Sequence, residues 1–323
     1  MDLFSQQQAN RSRSHWLIAG FVLFFAWLGF GGDLILLEMS RGEPAGSQWD
    51  VPLFGLMLTS YGIVTAVWAW HSGAQAVLRA TGAREIKQSV TEQERLLVNV
   101  VEEMCIAAGL ARPSIWIVAE GDPNAFATGR DERTAAIVVT QGLMDECTRD
   151  ELQGVIAHEL AHIKNYDVRL MTLLAAMVGA ITVVSDHMHR ILFQRGTSRA
   201  LGAVLPRGRK KGGGLLVVLL LVLWLVSWML APLISRMLAL GVSRKREFLA
   251  DATGAHISRN PDGLARALEK IGARQPRPHH GDKTVASLYF DNPFRRLGRR
   301  ERGSLFSTHP PIEERIRRLR GQA

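Results

Sequence analysis

Two histidines and a glutamate are the residues of this chain whose spacing could do chemistry. In Gly154-Val155-Ile156-Ala157-His158-Glu159-Leu160-Ala161-His162 the imidazoles are i and i+4, so on a helix both rings leave one face and can converge on one ion. Glu159 lies one step round from His158, near enough to an open coordination position to take a proton from a water held there. The chemistry such a set supports is hydrolysis assisted by Zn2+, with Glu159 as the base. An ordinary amphipathic helix carrying two histidines is the alternative, but the small apolar neighbours Ile156, Ala157, Leu160 and Ala161 suit a dry metal pocket better.

A helix must hold that face, and Thr148-Arg149-Asp150-Glu151 has the form of a capping box at its start. Acidic Asp150 and Glu151 also favour the positive end of the helix dipole. A helix from about Arg149 carries His158 and His162 in its third and fourth turns. A catalytic zinc wants a third protein ligand. Metzincins would place Gly and His three and six residues past the second histidine, where this chain has Asn165 and Val168, so that branch is excluded. The other solution is a carboxylate from a separate helix. Ser243 to Asp251 offers Glu247 and Asp251 at i and i+4, Glu247 as the metal ligand and Asp251 as acceptor for the outer N–H of a ligating histidine.

Four matched pieces in order, Asn124 to Gly129, His158 to Asp167, Ser243 to Asp251, and Phe306-Ser307-Thr308-His309-Pro310-Pro311 followed by Glu313-Glu314-Arg315, make the chain resemble the HtpX family of membrane-bound zinc metalloproteases. The resemblance runs from about the first apolar segment to the last helix. It implies a gluzincin-type fold with His158, His162 and Glu247 on zinc and Glu159 as general base. It departs mainly at the long, basic spacer from His187 to Gly214 and at Pro276 to Asp282. The resemblance further implies protein substrates, damaged or misassembled membrane proteins among them, and encourages a role for His309 at the oxyanion of a tetrahedral intermediate; a structural cap is the even alternative.

Composition agrees with a membrane enzyme. The 323 residues are 47% hydrophobic yet carry a formal net charge of +9, so the apolar residues must lie in blocks. Trp16 to Leu37, interrupted by Asp33, and Val51 to Trp70 are each long enough to cross a hydrocarbon core of roughly 30 Å. Arg11 and Arg13 precede the first block and Arg79, Arg84 and Lys87 follow the second, while acidic residues dominate between them. That asymmetry puts both ends of the hairpin in the cytoplasm. Leu170 to Val184 and Leu215 to Ile234 lie between the two halves of the zinc site, so they cross together or not at all. Four spans is the reading taken; the alternative is two spans, with the second hairpin packed at the cytoplasmic face and its basic tip beside anionic lipid headgroups.

The expected fold class is α+β, mainly helical: a membrane-anchored, zincin-like protease domain with a small β-sheet. In chain order this reads as an N-terminal hairpin (1–80), the first protease part (81–167), a second apolar hairpin (168–240) and the second protease part (241–323). Thr91 to Gly109 reads as an amphipathic helix; Ser114 to Ala119, Asn124 to Thr128 and Ala135 to Thr140 read as strands. In an HtpX-like fold the middle strand runs beside the active site and binds extended substrate through its backbone. Asn124 and Phe126 are thus the substrate candidates, with the alternative that Phe126 is core.

Cys105 and Cys147 are too few for a disulfide framework and read as reduced thiols. Neither a glycine-rich nucleotide fingerprint nor a nucleic-acid module accompanies the basic C-terminal segment, so lipid phosphate is the expected partner of Arg295 to Arg302. The activity expected is zinc-dependent endopeptidase action at the inner membrane, with the catalytic part facing the cytoplasm. Its rivals are a specific processing peptidase related to CAAX prenyl endopeptidases and a membrane scaffold with a structural zinc.

Overall fold

In the computed structural model, residues 3–40, 51–194, 218–228, 230, 244–273 and 310–321 are described. Helix α1 (Leu3–Ser40) and helix α2 (Leu53–Ala80) are followed by strand β1 (Arg84–Glu85), helix α3 (Glu92–Ala108), strands β2 (Ser114–Val118), β3 (Ala125–Thr128) and β4 (Ala136–Thr140), and the short helix α4 (Gln141–Glu146). Then come α5 (Arg149–Lys164) and α6 (Asp167–Gln194), an apolar helix α7 (Val218–Trp228), α8 (Arg244–Ser258), α9 (Pro261–Ala273) and α10 (Ile312–Leu319). The chain divides into two compact units: residues 1–14, 69–176 and 238–323 form the first, and 15–68 with 177–237 the second.

The first unit is built on a four-stranded mixed sheet in the order β1-β2-β4-β3. β2 and β4 run parallel, while β1 and β3 flank them antiparallel, with Ala125 opposite Val139 and Thr128 opposite Ala136. Alternation along the strands splits the core. Ile115, Ile117, Ile137 and Val139 face α3, α5 and α9 through Leu97, Val101, Ile156, Leu160 and Leu268. Phe126, Ala136 and Val138 face the other way, onto Val77, Leu78 and Ala175. Cys105 is buried in the first of these clusters and Cys147 borders it. Burial pushes the Cys105 thiol up to about 11 and that of Cys147 up to about 12, as expected of unreactive reduced thiols.

The expected helix over Thr91 to Gly109 is α3, capped by Thr91 and stopped by Gly109 in the left-handed region at φ 67°. Helix α5 starts as the sequence predicts: the Thr148 hydroxyl accepts from the Glu151 N–H, and the Glu151 carboxylate accepts from the Thr148 N–H. Glu151 is also held by Lys270 at 2.6 Å. Every residue from Leu152 to Ala161 is buried, so α5 is the central helix of this unit.

The second unit contains the apolar helix segments. Phe25 packs edge-on against Phe21, Phe24 and Tyr61, with ring centroids 5.0, 5.7 and 5.2 Å away. Asp33, the one charge in the first apolar block, accepts from the N–H groups of Phe54 and Gly55 at 3.2 and 2.6 Å. It therefore satisfies donors that the first turn of α2 would otherwise leave without partners. Three described helices are long and apolar enough to cross a membrane: Gln7–Glu38, Leu53–Ala80 and Asp167–Asp186. They correspond to the first three expected blocks, and Val218–Trp228 falls within the fourth.

Candidate active site

The site lies where α5 meets α8. Gly154 and Gly254 let neighbouring helices approach the backbone of α5. A Cβ on Gly254 would lie 2.9 Å from the His158 nitrogen and 3.0 Å from its Cα, and one on Gly154 would lie 2.5 Å from the Leu264 nitrogen on α9. With the helices this close, the side chain of Glu247, in the first turn of α8, reaches the histidine face of α5. One ligand atom each from His158, His162 and Glu247 falls within a common span of 4.8 Å. The two Nε2 atoms are 3.1 Å apart, His162 Nε2 is 3.7 Å from Glu247 Oε1, and His158 Nε2 is 3.9 Å from Glu247 Oε2. Donors about 2.0–2.1 Å from a tetrahedral zinc stand roughly 3.3 Å from one another. These distances and the two-imidazole, one-carboxylate donor set fit that ion.

Each imidazole is oriented from behind. Asp251, one turn beyond Glu247 on α8, stands 3.0 Å from His158 Nδ1. Asp167 stands 3.2 Å from His162 Nδ1. Both carboxylates hold their ring's Nδ1–H and turn Nε2 toward Glu247. Asp167 reaches back because the chain breaks between α5 and α6 at Tyr166, whose φ of 57° is left-handed. Such a conformation costs a bulky residue about 1–2 kcal/mol, offset here by cation–π contacts with Arg11 at 4.3 Å and Arg169 at 4.9 Å. Asp167 is fixed in turn by Asn10 at 2.7 Å and Arg246 at 3.5 Å.

Behind Asp251 lies Arg315, from α10. It is 1% exposed, donates from Nε to Asp251 Oδ2 at 2.9 Å and from Nη2 to Oδ1 at 2.7 Å, and stands 4.0 Å from Glu247. Glu159 is 3% exposed and close enough to act electrostatically on both His162 and Arg315. Burial, with Arg315 nearby, depresses His158 to about 4, so that ring is neutral at pH 7. Burial also works against a charge on His162, but the Asp167 hydrogen bond and the Glu247 and Glu159 carboxylates outweigh it and hold its pKa up at about 9. For Asp251 burial is outweighed by Arg315 and His158, leaving it at about 2. His158 thus presents a neutral ring, and the Glu247 and Glu159 carboxylates supply the negative charge that a cation beside His162 would meet.

The sequence-stated residues His158, Glu159, His162, Glu247 and Asp251 are therefore together in one buried cluster. Asp167, Arg315, Arg246 and Asn10 join it without having been assigned a part. Asn124 and Phe126 lie on and beside β3, which packs against α5. Phe126 is 1% exposed and belongs to the core. The Asn124 carbonyl accepts from Thr140 N, and its side-chain oxygen accepts from Ala125 N at 3.0 Å. Any part β3 takes in substrate binding falls to its outer backbone edge, where alternation leaves the N–H and C=O of Ala127. His309, His279 and His280, with the segments 195–217 and 274–309, lie outside the described residues.

The model of peptidase family M48 matches residues 91–323. A protease HtpX homolog of Streptococcus gordonii is 36% identical over 320 residues, covering 98% of this chain and 99% of that protein. One from Thermoanaerobacter pseudethanolicus is 43% identical over 269 residues, covering 83% and 85%. Among solved structures, the crystal structure of S. mikatae Ste24p aligns with a TM-score of 0.45 at 17% identity, over 98% of this chain and 66% of that one.

Proposed function

The chain belongs to the HtpX family within peptidase family M48 and is a membrane metalloprotease, and we propose that it is a zinc-dependent endopeptidase that uses His158, His162 and Glu247 as ligands and Glu159 as base. The observation that carries this reading is the convergence of those three donors within 4.8 Å beside a buried carboxylate.

When bound, zinc supplies Lewis acidity: it acidifies water and polarises the substrate carbonyl. Glu159 accepts the proton of the attacking water and returns it to the leaving amide nitrogen. Asp251 and Asp167 keep the Nε2 lone pairs aimed at one point, and Arg315 holds Asp251 ionised behind His158. An extended peptide adds to the outer edge of β3 through backbone hydrogen bonds at Ala127, so recognition depends little on side-chain identity. That tolerance suits quality control of membrane proteins better than the specific processing of one motif. The basic flanks Arg11, Arg13 and Arg79 support a catalytic unit on the cytoplasmic side of the cell membrane. His309 remains the candidate oxyanion partner.

The deciding experiment incubates detergent-purified protein with casein, with and without a zinc chelator, beside Glu159→Gln. Turnover lost to chelator and restored by zinc is expected. The variant should retain zinc but lose about 10²–10⁴-fold in rate, the range ascribed to a general base. Retained zinc with undiminished turnover would rule out the assigned base.

A further inference from the structure

A second cluster of charge lies in the same unit, away from Glu247 and its partners. Trp70 and His71 on α2, Gly129 and Arg130 after β3, and Arg169 and Thr172 on α6 line a cavity of about 200 Å³. Its charge is one-sided. Arg130 pairs with Asp131 at 3.1 Å, but the Asp131 carboxylate also accepts from Arg133 N, Thr134 N and the Thr134 hydroxyl. Arg169 is anchored by its Nε on the Arg130 carbonyl at 2.7 Å and leans on the Trp70 and Tyr166 rings at 5.3 and 4.9 Å. Arg11 covers the same Tyr166 ring at 4.3 Å. Among the described residues, neither Arg11 nor Arg169 has a carboxylate within ion-pair distance, and the terminal amino groups of Arg169 carry no hydrogen bond. Of the cavity's two arginines, half-buried Arg169 thus has no counter-charge among the described residues, and Arg130 shares its Asp131 partner with three other donors. Both guanidinium groups lie over the Trp70 ring, at 5.3 and 5.9 Å; together they make a receptor for an anion with several acceptor oxygens.

The cavity's place along the chain indicates the source of that anion. Trp70 closes the apolar run that begins at Val51, and Arg169 stands two residues into the Asp167–Asp186 span. These are the positions at which membrane helices carry tryptophan, tyrosine and arginine at headgroup depth. We propose that this cavity binds the phosphate of an anionic phospholipid headgroup, with Arg130 and Arg169 as the phosphate ligands and Trp70 as the wall. None of the residues proposed to hold or serve the zinc lines this cavity, although the Tyr166 ring on which Arg169 leans precedes Asp167, the partner of His162.

The test places the full chain in nanodiscs of mixed phosphatidylglycerol and phosphatidylcholine and measures by native mass spectrometry which lipid it retains. Wild type should retain phosphatidylglycerol preferentially. Arg130→Gln/Arg169→Gln should lose that preference by about 25-fold, taking about 1 kcal/mol, or fivefold, for each arginine at an anionic surface. Arg79→Gln, outside the cavity, should keep it, and so should Arg130→Lys/Arg169→Lys, which keeps the charge if the glutamine variant does not fold. An equal loss in Arg79→Gln would mean diffuse surface attraction and would overturn the site. Displacement of the lipid by millimolar inorganic phosphate would reassign it to a free anion. Unchanged lipid preference in the glutamine variant, with cleavage of an acidic peptide lost relative to its neutral counterpart, would reassign it to substrate.

Discussion

Replacing Arg315 is the sharpest test of how the site is supported, because Arg315 is itself neither a proposed ligand nor the base, yet stands 3.5 Å from His158 and 4.0 Å from Glu247. Arg315 is 1% exposed and grips Asp251 through two hydrogen bonds of 2.9 and 2.7 Å. Arg315→Met keeps apolar bulk but leaves the Asp251 carboxylate buried without its cation, a change that costs about 3–5 kcal/mol. For a domain of this size each kcal/mol moves the melting midpoint by about 2–4 °C, so a drop of about 6–20 °C is expected. Arg315→Lys keeps the charge but not the fork, and should lose about 1.5–3 kcal/mol, the worth of one charge-assisted hydrogen bond. The decisive comparison is Arg315→Met/Asp251→Leu, which removes both charges. It should melt above Arg315→Met alone, because no buried charge is left unpaired, yet bind zinc about 10- to 100-fold more weakly than wild type, because His158 has lost its orienting partner. Thermal unfolding in detergent with matched zinc, together with competitive zinc titration, reads both quantities. If Arg315→Met melts within about 1 °C of wild type and keeps its zinc affinity, the pairing with Asp251 contributes nothing and the reasoning fails.

Three further outcomes follow from the same structure. Glu247→Ala should lose most zinc, whereas Asp251→Ala should weaken affinity by about 10- to 100-fold; full and equal zinc in both, by metal analysis, would place the third ligand elsewhere. Burial alone would raise the Glu151 pKa, but the Lys270 and Thr148 hydrogen bonds pull it below the ordinary 4.5, so its contribution to stability is intact above that pH and is lost as pH falls through the folded value. Chelated Lys270→Met, followed by circular dichroism, should therefore unfold at a higher pH than chelated wild type, and coincident acid transitions would contradict the assignment. With four spans, a cysteine at position 198 should react with an impermeant thiol reagent in intact cells while one at 304 should not, both in a background lacking Cys105 and Cys147; reaction at 304 would put the catalytic unit outside.

What the sequence made legible was whatever chemistry is written within one or two helical turns. The histidine pair, the Thr148–Glu151 capping box and the Glu247–Asp251 pair all follow from i+3 or i+4 spacing on a single helix. Asp167 was not legible as the partner of His162, because the carboxylate returns only through the left-handed break at Tyr166. Arg315 was visible inside a family motif, but nothing local announces that a residue 157 positions from His158 fills the space behind Asp251. Asp33 read as a flaw in an apolar block, since its role is to cap a different helix, α2, across a hairpin. Phe126 shows the converse: an aromatic in a motif strand, on the face that packs against Val138 and Ala175.

The glycine at position 254 gives the metal centre a mechanical tolerance as well as a chemical composition. The nearest atoms a side chain there would meet are the backbone nitrogen and α-carbon of His158, at 2.9 and 3.0 Å, and backbone of a central buried helix cannot swing aside as the tip of a flexible side chain can. Even one methyl group would have to be accommodated by moving α8 outward, and Glu247 on the same helix would be carried away from the histidines with it. Donor identity and donor distance are thus inherited separately: an inventory of histidines and carboxylates would find every ligand of such a variant in place while the ion itself was lost.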